Sequence, residues 1–219
     1  MMIKFFKRLI LLVVLVWIAA IVYVLAVPVE LNIQGRSQYP TLPNGCESVA
    51  ASVAMSAQGV PITAETFAAD YLPKAAAGTA NPEDAYIGDP SSDSGYYCYP
   101  QALARGMNAF LSTQNTSLRA KTHKLVPLTE VLLRLHMNRP VIVWTTVDDE
   151  KPARSESVVW NVNGEEIHPY TNLHAVVIDG IDDFQVHLVD SVNGDRWLPL
   201  TTFAPLYYQM GLRAVYFTG

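Results

Sequence analysis

The chain has 219 residues, half of them hydrophobic, and a mean hydropathy of +0.17, high for a wholly soluble domain of this length. Fifteen Lys+Arg against 20 Asp+Glu give a formal charge of −5; with Lys4, Lys7 and Arg8 set apart, 12 basic residues face 20 acidic ones, a formal −8. Binding to phosphates needs a basic face, so no nucleic-acid partner is expected.

The apolar excess lies at the amino end. Leu9 to Val27 carries no charge, and those 19 residues reach about 28 Å as a helix, close to a hydrocarbon core of about 30 Å. Lys4, Lys7 and Arg8 precede it without an acidic residue, which leaves the N-terminus cytoplasmic and the rest outside. The spacing Val24-Leu25-Ala26 also suits a cleavable signal peptide, but the apolar core is long for one, so an uncleaved anchor is preferred. The expected division is residues 1–28 as stub and anchor and 29–219 as one domain.

The first half of that domain reads as four helices. GCESVAASVAMSAQG is alanine-rich and ends at Gly59, ITAETFAADYLP stops at Pro73, PQALARGMNAFL sets Leu103, Met107 and Phe110 on one stripe, and LTEVLLRLHMN stops before Pro140. Between the second and third runs a connection from Ala75 to Pro100, rich in Gly, Pro, Ser and Asp, reads as a cleft wall or a surface excursion. After Arg139 the signal is β: PVIVWTTV, a hairpin around Asn163-Gly164, then HAVVIDGI, QVHLVD, RWLPL and LRAVYFT, with TTFAPLYYQM as one more short helix. Helices first and strands afterwards predict an α+β fold.

Cys46 and Cys98 are the only cysteines. Outside a membrane such a pair is commonly a disulfide. Cys46, however, opens a predicted helix, where free amide N–H groups and the helix dipole favour a thiolate. A nucleophile needs a base, and of the five histidines His174 is singled out because it opens the strand HAVVIDGI while Asp190 closes QVHLVD. With Ile181 to Asp183 as the connection, Gly180 pairs with Phe184 and His174 stands directly opposite Asp190, near enough for the carboxylate to orient the imidazole. A two-residue turn would spoil that alignment.

His187 projects from the other face and reads as packing, and Asp179, Asp182 and Asp183 read as turn formers. Gln38, eight residues before Cys46, is a candidate to help the Cys46 N–H hold an oxyanion, with Gln34 and Asn44 as rivals. Trp144 is a substrate contact or plain core. No metal-ligand spacing, phosphate loop or cofactor motif occurs, so neither metal nor cofactor is expected.

The order Cys46, His174, Asp190, with a helix behind the cysteine and a β half carrying the other two, resembles a papain-like cysteine peptidase. More narrowly it is similar to the bacteriocin-processing peptidase family, whose best-known members cut double-glycine leaders, and especially to its stand-alone exported relatives. QYPTLPNGCESVAASVAM, IGDPSSDSGYYCYP, RPVIVWTTV, NLHAVVIDGID and VHLVDSVNG carry the likeness, over nearly all of Gln38 to Phe217.

The resemblance implies a papain-like fold, Cys46 as nucleophile, His174 as general base and acid, Asp190 as orienting carboxylate and Gln38 in the oxyanion hole. Cys98 falls in a cysteine-bearing segment of the stand-alone relatives. The family's Asp-Pro-x-x-Gly reads Asp190-Ser191-Val192-Asn193-Gly194 here, and Gln38 lies farther from the cysteine than in leader-processing members. The implied protein is a peptidase on the outer face of a bacterial plasma membrane, acting on a peptide or protein substrate other than a cytoplasmic leader. The alternatives are a peptide- or wall-binding domain with a Cys46 to Cys98 disulfide, and an amidase or transferase on the same triad.

Overall fold

The structure is a computed structural model that describes residues 2–219, with side chains from residue 6 onward. The apolar N-terminal stretch is one helix, α1 (Met2–Ala26), with large side chains from Phe6 to Ile18, Val22 and Tyr23 exposed, Ile21 half-buried and Val24 buried. A short strand, β1 (Val29–Glu30), leads to α2 (Cys46–Ala57). Gly45 precedes α2 because a Cβ there would lie 2.4 Å from that of Leu42. Ser48, Ala50, Ala51, Ser52 and Ala54 let neighbours close on α2 from every side, so Cys46 through Met55 are all buried.

Next, α3 (Ala64–Thr66) is capped by the Thr63 hydroxyl and runs into a π turn, Phe67–Tyr71. The long connection holds a parallel pair, β2 (Lys74–Ala75) and β3 (Tyr86–Ile87). α4 (Pro100–Leu111) begins on a proline, tolerated at a helix start because it has no N–H to leave unpaired. β4 (Arg119–Lys121) is a strand with no counterpart in the sequence reading, and α5 (Leu128–Leu135) closes the helical half.

The β half comprises β5 (Val141–Thr146), the hairpin of β6 (Trp160–Val162) and β7 (Glu165–Ile167), β8 (Leu173–Asp182), β9 (Gln185–Val189), β10 (Arg196–Pro199), then α6 (Leu200–Gln209) and β11 (Ala214–Thr218). The main sheet is antiparallel in the order β10, β9, β8, β5, β11, β4, with β1 also against β8. Alternation sends Ile142, Trp144, Ala175 and Val177 toward α2 and α4, and Val141, Val143, Val176 and Ile178 toward α5, α6 and Val24. Both faces are covered, which is why β5 and β8 read as unbroken apolar runs.

The β8 and β9 hairpin corrects the sequence reading. Its connection is the two-residue turn Asp183-Phe184, both left-handed (φ 41° and 57°), pairing Asp182 with Gln185. A bulge between Ile178 and Gly180 then inserts Asp179, and beyond it Val177 pairs with Val189. His174 is therefore diagonal to Asp190, not opposite it. The extra residue restores the parity that the tight turn would have lost, and the two side chains keep one face.

Candidate active site

Cys46 is the first residue of α2, and no side chain caps that helix end. The Trp144 N–H bonds the Arg213 carbonyl of the β11 side, so its partner Ala175 turns its own amide away from β5. Pairing with β9 has ended by that level, and the Ala175 N–H is turned to the Cys46 sulfur, where it favours the thiolate. Burial and then the Glu47 carboxylate outweigh it and push the thiol well above its ordinary value. Desolvation in a fully packed helix thus favours the neutral thiol, against the thiolate that the helix dipole alone would favour.

The thiol donates to Glu47 Oε2 at 3.2 Å. Glu47 Oε1 accepts the Cys98 N–H at 2.9 Å, and the Cys98 carbonyl accepts the Trp144 indole N–H at 2.9 Å. Trp144 is fully buried and is core, not a substrate contact. Both cysteines are free thiols, which overturns the disulfide alternative. Glu47 escaped the sequence reading because an acid in a helix's first turn normally faces solvent; here it is wholly buried.

His174, also buried, holds Asp190 Oδ1 through Nε2 at 2.7 Å. That leaves Nδ1 as the ring nitrogen open to a proton. Asp190 Oδ1 also accepts the N–H groups of Val192 (2.8 Å) and Asn193 (3.1 Å), while Oδ2 accepts Arg196 Nη1. Arg196 spans from there to Asp149 Oδ1 at 2.9 Å. Burial by itself would raise Asp190, but His174, the Val192 amide and Arg196 together hold it well below the usual carboxylate range. Arg196 and Asp149 were missed, since only the folded β10 and the turn after β5 bring them to Asp190.

Gln38 is buried beside this pair. Its backbone N–H donates to the Ser191 carbonyl (3.1 Å), its Oε1 accepts the Ser191 hydroxyl (2.8 Å), and its Nε2 donates to the Pro43 carbonyl (2.7 Å), leaving one amide hydrogen. Of its rivals, Gln34 is exposed, and Asn44 is engaged with the long connection, giving Nδ2 to the Ser92 carbonyl and taking the Tyr86 hydroxyl on its own carbonyl. That connection is ordered against the Cys46 end of α2: the Asn44 N–H also bonds the Pro90 carbonyl.

Half-buried His187 pairs with buried Asp179 at 2.6 Å, so Asp179 is a bulge residue with a partner, not a turn former. A depression of about 890 Å³ lies at the far end of α2 around Ser56, Gln58 and Ile62, roughly 17 Å along the helix from Cys46. A smaller groove of about 360 Å³ runs between Gly35 to Ser37 and Asp190 to Asp195. Among the described residues, no group of three or more His, Cys, Asp or Glu could hold a metal ion.

Against known families, the model of the Peptidase_C39 like family matches residues 30–215. Among solved structures, a Bacillus anthracis protein described as a C39-like peptidase aligns with a TM-score of 0.76 at 22% identity, over 88% of this chain and 98% of its own. Two more distant matches are a double glycine motif protease from an AMS/PCAT transporter in complex with the leader peptide (TM-score 0.42, 12% identity, 87% and 94% covered) and Xylellain, a cysteine protease from Xylella fastidiosa (0.44, 11%, 90% and 87%). None of the curated proteins matches.

Proposed function

Since the chain belongs to the Peptidase_C39 like family and is a cysteine peptidase, a hydrolase of peptide or protein substrates, we propose that Cys46, His174 and Asp190 are its catalytic triad. The observation that carries this is the 2.7 Å bond from His174 Nε2 to a carboxylate already neutralised by Arg196, at the sheet notch that meets the Cys46 end of α2. In the reaction His174 Nδ1 takes the thiol proton and the sulfur attacks the peptide carbonyl. The Cys46 N–H and the remaining Gln38 amide hydrogen hold the oxyanion. His174 then returns its proton to the leaving amine, and water attacks the thioester with His174 again as base.

We further propose that residues 29–219 form the peptidase domain, tethered outside a bacterial plasma membrane by α1 as a single, uncleaved span. Phe6–Ala26 is long and apolar enough to cross one. Val24 is buried with Val131, Leu135 and Val176 in the domain's second core, which speaks against removal at Ala26.

The test uses the purified full chain, never reduced, treated with iodoacetamide and mapped by mass spectrometry, beside a peptide-library hydrolysis screen. Cys46 should be labelled selectively, His174→Ala should abolish that selectivity, and Cys46→Ala should lower kcat/KM by about 10⁴-fold or more. Unchanged hydrolysis in Cys46→Ala, or equal labelling in His174→Ala, overturns the triad.

A further inference from the structure

Glu47 is a buried ionisable group that the triad mechanism leaves unused. It is wholly inaccessible, yet the described structure gives its carboxylate no cationic hydrogen-bond partner. Oε1 is fixed by the Cys98 N–H, and Cys98 is fixed in turn by Trp144. Oε2 is aimed at the Cys46 sulfur, 3.2 Å away. A buried acid normally sits against a cation or several N–H donors; this one is spent on a thiol.

The other titratable groups that face it are Cys98, two residues ahead of α4, His174 on β8 and Tyr86 on β3. The Tyr86 hydroxyl is directed to the Asn44 and Tyr96 carbonyls, and Arg105 acts on Cys98 from α4.

We propose that Glu47 is a positioning residue for the nucleophile: ionised, it takes the thiol's hydrogen bond and opposes its conversion to thiolate; protonated, it lifts that opposition and gives its own O–H to the sulfur. The idea rests on Cys46 being the nucleophile. When the thiol proton passes from Sγ to His174 Nδ1 beside an ionised Glu47, two anions are left in contact. When Glu47 carries its proton, the same transfer leaves one anion with a donor. Burial raises Glu47 to about 7, against the lowering by the Cys98 N–H, its own N–H, the thiol and His174, so both states are reached around neutral pH. Its charge then tunes Cys46 reactivity where the enzyme would work.

The experiment is the pH dependence of Cys46 alkylation by iodoacetamide in the full chain, wild type against Glu47→Gln. The amide keeps the Cys98 N–H bond through its oxygen and presents a permanent neutral donor to sulfur. At about pH 8.5, where wild-type Glu47 is ionised, the variant should react about tenfold faster, equivalent to lowering the thiol midpoint by about one pH unit. At about pH 5.5 the two should react alike. A ratio that is the same at both pH values, as a purely structural role would give, or no difference at all, overturns the proposal.

Should Glu47→Gln not fold, infrared titration of the carboxyl C=O band in Cys46→Ala decides. Loss of the thiol donor should raise the pH at which Glu47 ionises, and an unmoved titration overturns the idea. Alkylation needs no substrate, so a failed peptidase screen or an unaltered His174→Ala bears on the triad and leaves the Glu47 comparison to stand alone.

Discussion

Two carboxylates in the site are displaced in opposite directions, and the cause is the company each keeps. Asp190 meets an imidazole, an arginine and two amides, so its ionised form is favoured despite burial; its contribution to stability is present above its ordinary value and lost as pH falls through the folded one. Glu47 meets a thiol and amides and is desolvated, so its neutral form is favoured. Its folded value, about 7, exceeds the ordinary 4.5; the stability tied to its proton is therefore full below about 4.5 and lost as pH rises through about 7. Urea unfolding of wild type and Glu47→Gln should then show the variant more stable by about 3 kcal/mol above about pH 8, with the gap closing toward about pH 4. A gap that ignores pH would mean that Glu47 is not the group that titrates. Neither direction was legible in the sequence. Local spacing marked Cys46, His174 and Asp190, whereas Glu47's burial depends on how tightly the small residues of α2 admit their neighbours.

At the level of elements, the β8 and β9 hairpin shows which signals survive folding. Apolar runs located both strands, and Asp190 and His174 fell at their ends as read. Pairing register did not follow, because a two-residue turn and a one-residue bulge offset one another and neither leaves a distinct pattern in a run of buried residues. β4 was missed for a related reason: three residues, Arg-Ala-Lys, with only Ala120 buried carry too short an alternation to see. The bulge also has a task. Asp179 Oδ2 accepts the Ile33 N–H at 2.9 Å while its other oxygen takes His187, so it ties the segment that leads from β1 to Gln38 onto the sheet. Asp179→Ala should cost about 1 to 3 kcal/mol, since it removes the acceptor of two hydrogen bonds, and should speed hydrogen exchange at Ile33 far more than at Leu31, whose N–H keeps the Asp179 carbonyl. Equal acceleration at both amides would show general loosening in place of a lost tie.

For the molecule as a whole, the sheet divides two cores, one shared with α2 and α4 and the other with α5 and α6. The end of α1 enters the second of them: Val24 is buried there, Leu25 packs against it, and the Tyr23 ring lies 4.9 Å from that of His136. A helix that only tethered a domain would meet it through a polar, yielding linker. Here the chain passes from an exposed apolar helix into the core and onto β1 within a few residues. Composition located the apolar span, but its packing on α5 was invisible, because residues 23 to 25 look the same whether they face lipid or protein. A chain starting at Val27 should consequently unfold more readily than one starting at Val22. Burying a valine is worth about 1.5 to 3 kcal/mol, and with Leu25 and Tyr23 also lost the difference should be at least about 2 kcal/mol in detergent-free urea titrations. The test separates two forms of the protein: equal midpoints would fit a mature domain released by cleavage at Ala26, whereas a clear deficit fits a helix kept for its place in the fold.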